Sequence, residues 1–135
     1  MNKYYQGSCL CGEIKLEITG NLEQFFLCHC QHCQKDTGSA YAANLFSTTA
    51  SLHILSGNDN IQTFKLTNSR HSKSFCSRCG SAMPHYQMDG KLLVVPAGCL
   101  DTPIDIMPNA HIFTDSKANW EHHLNNIPSL GGLPT

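Results

Sequence analysis

The spacing of the cysteines constrains this chain more than any other feature. There are eight in 135 residues, and all but Cys99 stand in tight groups: CLC (Cys9, Cys11), CHCQHC (Cys28, Cys30, Cys33) and CSRC (Cys76, Cys79). Free surface thiols are reactive and a reducing cytosol offers no stable disulfide framework, so thiols at this density read as metal ligands. A disulfide framework in an exported chain is the alternative. Against it, a ring closed within CxC is very small and strained, whereas neighbouring thiolates converging on one cation are what a metal loop supplies. The N-terminal MNKYYQGSCLCG has one lysine and no apolar run of signal-peptide length, which predicts a soluble, cytoplasmic chain.

Distance along the chain does not group the cysteines. CSRCG has the form of a zinc knuckle: two thiols on a tight turn, followed by a glycine, Gly80, that permits a left-handed backbone and lets amide N–H groups turn toward the sulfurs. CLCG carries the same trailing glycine, Gly12. Together the two doublets would complete a tetrahedral four-thiolate site, a structural zinc closed to substrate, stapling the N-terminal strand to a later hairpin. A redox role for CxxC would need a βαβ context that the sequence does not offer. The triplet is left with three sulfurs, and three protein ligands with an open fourth position distinguish catalytic from structural zinc. Cys99 is the alternative fourth ligand, which would close that site and make the protein purely structural. His29 and His32 are nominal ligands too, although a histidine beside a metal loop more often supports the ligands or faces solvent.

A chain of this length forms one domain. The net charge of −1, with no block of like charges, leaves no footprint for duplex nucleic acid or an anionic membrane, and nowhere do about 18 apolar residues run together. A small-molecule partner is expected. Alternating apolar and polar residues predict strands at EIKLEI, where Ile14, Leu16 and Ile18 share a face, and at IQTFKL, with Ile61, Phe64 and Leu66. FFLCH, AYAANLF, LHIL, HSKSF and KLLVV are further short β segments, separated by turn-formers such as SGNDN and MDG. Helical signal is scarce: a turn around Gln34 to Thr37, and one short C-terminal helix over ANWEHHLNNI, ended by Pro128. The closing PSLGGLPT reads as a tail. The fold class expected is mainly β.

Five segments, GSCLCGEI, CHCQHCQKDTGSAYAA, RHSKSFCSRCGSAM, VVPAGCLD and PNAHIFTDSKANW, resemble in order the family of glutathione-dependent formaldehyde-activating enzymes, which also includes vertebrate centromere protein V. The resemblance spans residues 5–124 as one zinc domain, with 125–135 as the tail. It implies an Mss4-like fold of short antiparallel sheets stapled by zinc. It also implies a structural zinc at Cys9, Cys11, Cys76 and Cys79 and a catalytic zinc at Cys28, Cys30 and Cys33, two per chain, the same grouping that the knuckles suggest. Position 99 commonly carries a small residue in the family.

The activity so implied is that of a carbon–sulfur lyase acting on a thiol adduct of a small aldehyde, such as S-hydroxymethylglutathione, with glutathione the partner. Three thiolates make zinc a weak Lewis acid, so capturing a soft thiol suits the site better than activating water. A fourth thiolate adds negative charge, for which Lys35, Arg70, Lys73 and Arg78 are the nearby cations. Thr37, Ser39 and Tyr41 are candidate pocket residues and His111 a candidate proton-handling residue, while Trp120 is expected to pack the C-terminal turn onto the sheet. The competing reading is a non-catalytic zinc module that binds a protein or nucleic acid. The near-neutral charge and absence of a basic tail weigh against a chromatin binder.

Overall fold

Ile14, Leu16 and Ile18 alternate with polar neighbours, and all three are completely buried, as a period of two requires of a strand with one face on a core. Leu16 and Ile18 belong to the second of eleven short strands found in the computed structural model, which describes residues 3–134, and Ile14 leads into it. In chain order the strands are β1 (Tyr4–Ser8), β2 (Lys15–Thr19) and β3 (Gln24–Cys28), then, after the helix α1 (Gln31–Thr37), β4 (Ala42–Ser47) and β5 (Ser51–Ser56). There follow β6 (Ile61–Lys65), β7 (Ser72–Cys76), β8 (Ala82–Met83), β9 (His85–Gln87), β10 (Leu92–Pro96) and β11 (Ala110–Ile112).

The strands form three small sheets, ordered β1-β2-β5, β11-β3-β4-β10-β9 and β6-β7-β8. The fold is mainly β, as expected. Pairing is antiparallel except between β11 and β3, where His111 stands opposite Leu27 and Ile112 opposite Cys28. The core gathers Ile14, Leu16 and Ile18 with Leu45, Met83, Leu93 and Val95, and it includes the thiols of Cys9, Cys76 and Cys99. In β10 the consecutive Leu93, Val94 and Val95 are all buried, consistent with a strand covered on both faces.

IQTFK of IQTFKL forms a strand, but only its first residue, Ile61, packs against the core. Ile61 and Phe64 are three residues apart, so the pleat sends them to opposite sides, and Phe64 is 58% exposed. The C-terminal helix expected over ANWEHHLNNI is not formed. Two 3₁₀ turns, Asn119–Glu121 and Leu124–Asn126, stand there instead, separated by an extended His122 and a left-handed His123 at φ 63°. Asn, His and Trp are weak helix formers, and so short a segment forms a helix only by packing an apolar stripe that it lacks. The α-helix that does form, α1, follows the triplet: Cys30 is its N-cap and Gly38 its C-cap. No helix among the described residues is long and apolar enough to cross a membrane.

Candidate metal centres

The turn after β1 and the turn after β7 carry the two doublets, and they bring the sulfurs of Cys9, Cys11, Cys76 and Cys79 within 4.8 Å of one another. Both turns are closed by a left-handed glycine: the Gly12 N–H donates to Cys9 O at φ 83°, the Gly80 N–H to Cys76 O at φ 80°. The Cys9–Cys11 and Cys11–Cys76 sulfurs stand 3.5 and 3.9 Å apart. Zn–S bonds of about 2.3 Å in a tetrahedron place sulfurs roughly 3.8 Å apart, so the donor set fits zinc in both spacing and softness. Ser81 ties the two turns together. Its hydroxyl accepts from the Leu10 N–H at 2.8 Å and lies 3.3 Å from Cys79 Sγ, while its carbonyl accepts from the Cys76 N–H. Contact with the Ser81 hydroxyl holds the Cys79 thiol down to about 5.

The second centre is built where β3 runs into α1. Cys28 ends the strand, Cys30 caps the helix by accepting from the Cys33 N–H at 3.3 Å, and Cys33 lies in its first turn; the three sulfurs also fall within 4.8 Å of one another. Cys99 joins neither cluster among the described residues. It sits in the Ala97–Cys99 turn after β10, 7% exposed, and burial foremost, with the nearby Asp101 carboxylate, pushes its thiol up to about 12. Burial likewise raises Cys28, and raises Cys33 further with help from hydrogen bonds to Cys30 and Cys28. Cys30 is lowered in spite of burial, because the Cys33 amide and the neighbouring thiols favour its thiolate.

Cys28 and Cys33 open onto a cleft of about 990 Å³. The helical period divides α1 between two surfaces. His32, Cys33 and Asp36 face the cleft, whereas Gln31, Gln34 and Lys35 line a shallow groove with Trp120. Of the cations expected near the site, Arg70 and Lys73 line the cleft; Lys35 lies in the groove, and Arg78 pairs with Glu13 at 3.3 Å. Lys73 is held by Asp36, with Nζ 3.2 Å from Oδ1 and donating to the Asp36 carbonyl at 2.6 Å. His71 Nε2 approaches the other Asp36 carboxylate oxygen at 2.8 Å, and its ring meets His32 edge-on. Thr37 reaches the cleft, but Ser39 lies in the groove and the Tyr41 ring packs at a tilt against His29. Trp120 is 55% exposed rather than packed on the sheet.

The sequence profile described as glutathione-dependent formaldehyde-activating enzyme matches residues 4–116 of the chain, including both cysteine clusters. The chain belongs to that family. No curated protein matches significantly. Among solved structures, a structural-genomics crystal structure of a Rhodobacter sphaeroides protein is similar at 21% identity and a TM-score of 0.57, covering 78% of this chain and 98% of that one. That likeness concerns the fold.

Within this formaldehyde-activating enzyme family member, several site residues carry little or no signal in the sequence. His29 is not a surface group: it is 1% exposed, with Nδ1 2.9 Å from Glu121 Oε2 and Nε2 2.8 Å from His111 Nδ1. Glu121 lies outside every segment that carries the resemblance, Asp36 lies inside one with nothing to mark it as a site residue, and their partners are 92 and 35 residues away along the chain. Ser81 alone is signalled, by its position next to the CSRCG turn. His85 lines the cleft with a buried Nδ1 that has no hydrogen-bond partner among the described residues, and burial lowers its basicity.

Proposed function

We propose that the chain is a zinc-dependent carbon–sulfur lyase, joining a small aldehyde such as formaldehyde to a thiol such as glutathione and splitting the adduct in reverse. The observation that carries this reading is the opening of the three-thiol cluster onto the cleft, through Cys28 and Cys33. In this reading Cys9, Cys11, Cys76 and Cys79 hold a structural zinc, and Cys28, Cys30 and Cys33 hold the reactive one. A zinc ion held there by three thiolates would supply Lewis acidity suited to a soft thiol, easing its ionisation near neutral pH.

The chain's own residues do the rest. Arg70 makes no ion pair among the described residues and is free to meet a carboxylate of the thiol substrate; Lys73, neutralised in part by Asp36, adds positive potential to the same wall. The chemical step forms one bond, from the substrate sulfur to the carbonyl carbon, and breaks the C=O π bond, whose electron pair moves onto the oxygen. The carbonyl oxygen then takes up the proton that the thiol gave away, so atoms and charge balance. Cys99 and the apolar side chains of Met83 and Val94 line part of the cleft and limit the water around that step.

The uncatalysed adduct forms spontaneously, so the test is an exchange rate. Magnetisation exchange between glutathione and its hydroxymethyl adduct in formaldehyde solution is expected to accelerate with the zinc-loaded protein. It should fall to the background rate with Cys30→Ser, which is expected to retain the four-thiol metal. A fully loaded parent protein that leaves the exchange rate at background overturns the reading.

A further inference from the structure

Cys28 and Cys33 open onto the cleft on one side of the β3–α1 junction, and a chain of hydrogen-bonding groups, buried at His29 and Glu121, backs them on the other. In the parallel β3–β11 pair, Cys28 stands opposite Ile112 and both line the cleft. His111, one residue earlier, therefore points to the opposite face, and so does His29, one residue after Cys28. There the two rings meet at 2.8 Å, and Glu121 closes the far end of the chain at 2.9 Å from His29.

Every hydrogen-bonding group of His29 has a partner. Its N–H donates to Ile112 O at 2.9 Å, its carbonyl accepts from Gln34 Nε2 at 2.8 Å, and its two ring nitrogens meet Glu121 and His111. Gln34 Nε2 also donates to Ser116 O, and Tyr41 packs on the His29 ring at 5.1 Å between centroids. The residue between two ligand cysteines is thus held at backbone and side chain together. Burying a carboxylate and an imidazole is costly, and the cost is offset only when the pair is well placed and fully hydrogen-bonded. Glu121 is 8% exposed and lies beyond the residues 4–116 that match the family profile.

We propose that Glu121 and His111 are positioning residues for the three-thiol centre, acting through His29 to hold Cys28 and Cys30 in the spacing that keeps a metal bound. The inference rests on the reading of that centre as a zinc site. A carboxylate can only accept, so a His29 ring hydrogen-bonded to Glu121 places a proton on Nδ1 toward it, while Nε2 shares the second hydrogen bond with His111 Nδ1. The Nδ1 proton of His29 is then fixed by one buried carboxylate. Glutamine is nearly isosteric with glutamate but its amide can donate, which permits the reverse direction of the whole chain.

Because ligand-supporting partners contribute about 10- to 100-fold to metal affinity, their loss should speed release of this metal by a similar factor. The experiment follows zinc transfer from the loaded protein to a chromophoric chelator in two phases, the faster assigned by its loss in Cys30→Ser. Glu121→Gln is expected to accelerate the fast phase by about 10-fold or more and leave the slow, four-thiol phase unchanged. Long-range proton–nitrogen NMR should find the His29 proton on Nδ1 in the parent and moved or mixed in Glu121→Gln, a change that a merely structural contact would not produce. Glu121→Asp, which restores a carboxylate, should recover part of the retention. Should Glu121→Gln fail to fold, His111→Ala, at an exposed position, carries the same expectation for the fast phase. A fast phase within twofold of the parent in whichever variant folds overturns the proposal. Metal release needs no substrate, so this outcome and the fate of the lyase reading can be told apart.

Discussion

A thiol gives up its proton to become a metal ligand, so the acidity of each cysteine sets the pH at which its site loads. In the three-thiol centre, burial pushes Cys28 and Cys33 upward, and Cys30 alone is lowered. In the four-thiol centre the Ser81 contact holds Cys79 down to about 5. Cys9 is lowered too: against burial, the Ile14 N–H 3.3 Å from its sulfur and the neighbouring thiols favour the thiolate. Cys11 opposes this trend: the amide of Glu13 favours its thiolate, yet burial and the adjacent thiols push it up to about 11. A raised thiol reclaims its proton while the pH is still high, and a lowered one keeps its thiolate further into acid. Metal loading is therefore favoured as pH rises, and on acidification the three-thiol centre is expected to release its metal at the higher pH. Chelator-detected zinc release, titrated downward from mildly alkaline solution in the parent and in Cys30→Ser, separates the two midpoints. Coincident midpoints, or the reverse order, would contradict this assignment of acidity.

At the scale of elements, α1 is short for a helix and is held by its ends and by what it touches. Cys30 and Gly38 cap it, and Asp36 ties it to the β7 hairpin through His71 and Lys73. This clasp joins the helix that carries Cys33 to the hairpin that carries Cys76 and Cys79, across the cleft. Its groups are partly exposed, so solvent screens them and each contact contributes modestly. Asp36→Ala should cost about 1–2 kcal/mol in urea unfolding of the metal-loaded protein. It should also raise amide hydrogen exchange in the β6–β7 hairpin. A variant as stable as its parent, with unchanged exchange there, would show that the hairpin is held by the four-thiol centre alone.

For the whole molecule, the two centres differ in what they hold together. Cys9 and Cys11 lie on the turn between the strands of the first sheet, and Cys76 and Cys79 on the turn between strands of the third, so a metal held there would join two sheets that share one small core. Cys9 and Cys76 are themselves buried in that core. Structural zinc contributes on the order of 10 kcal/mol to small domains, comparable with the entire stability of a chain this size. Cys76→Ser is therefore expected to abolish the cooperative thermal transition and the native far-ultraviolet dichroism. Cys30→Ser should keep both, with a lower melting temperature, because the three thiols lie within one continuous β3–α1 segment, so a metal held by them would not itself join separate sheets. Equal losses in the two variants would make both metals structural.

Spacing and turn chemistry by themselves determined much of this protein. Two thiols on a turn closed by a glycine can point only a few ways, so the pairing of CLCG with CSRCG and the separateness of CHCQHC are legible in the residues alone. Period-two alternation likewise placed Ile14, Leu16 and Ile18 on one buried face. Only the tertiary structure decided the rest. That Cys99 lies outside the triplet follows from where β10 ends relative to β3, which no local pattern records. ANWEHHLNNI looks helical because its composition alone does not show that Glu121 is drawn down onto His29, leaving two 3₁₀ turns instead. The Glu121–His29–His111 chain and the Asp36 clasp join residues tens of positions apart. Single buried polar contacts of that kind depend on how strands are ordered in space, and a one-dimensional pattern carries no term for it.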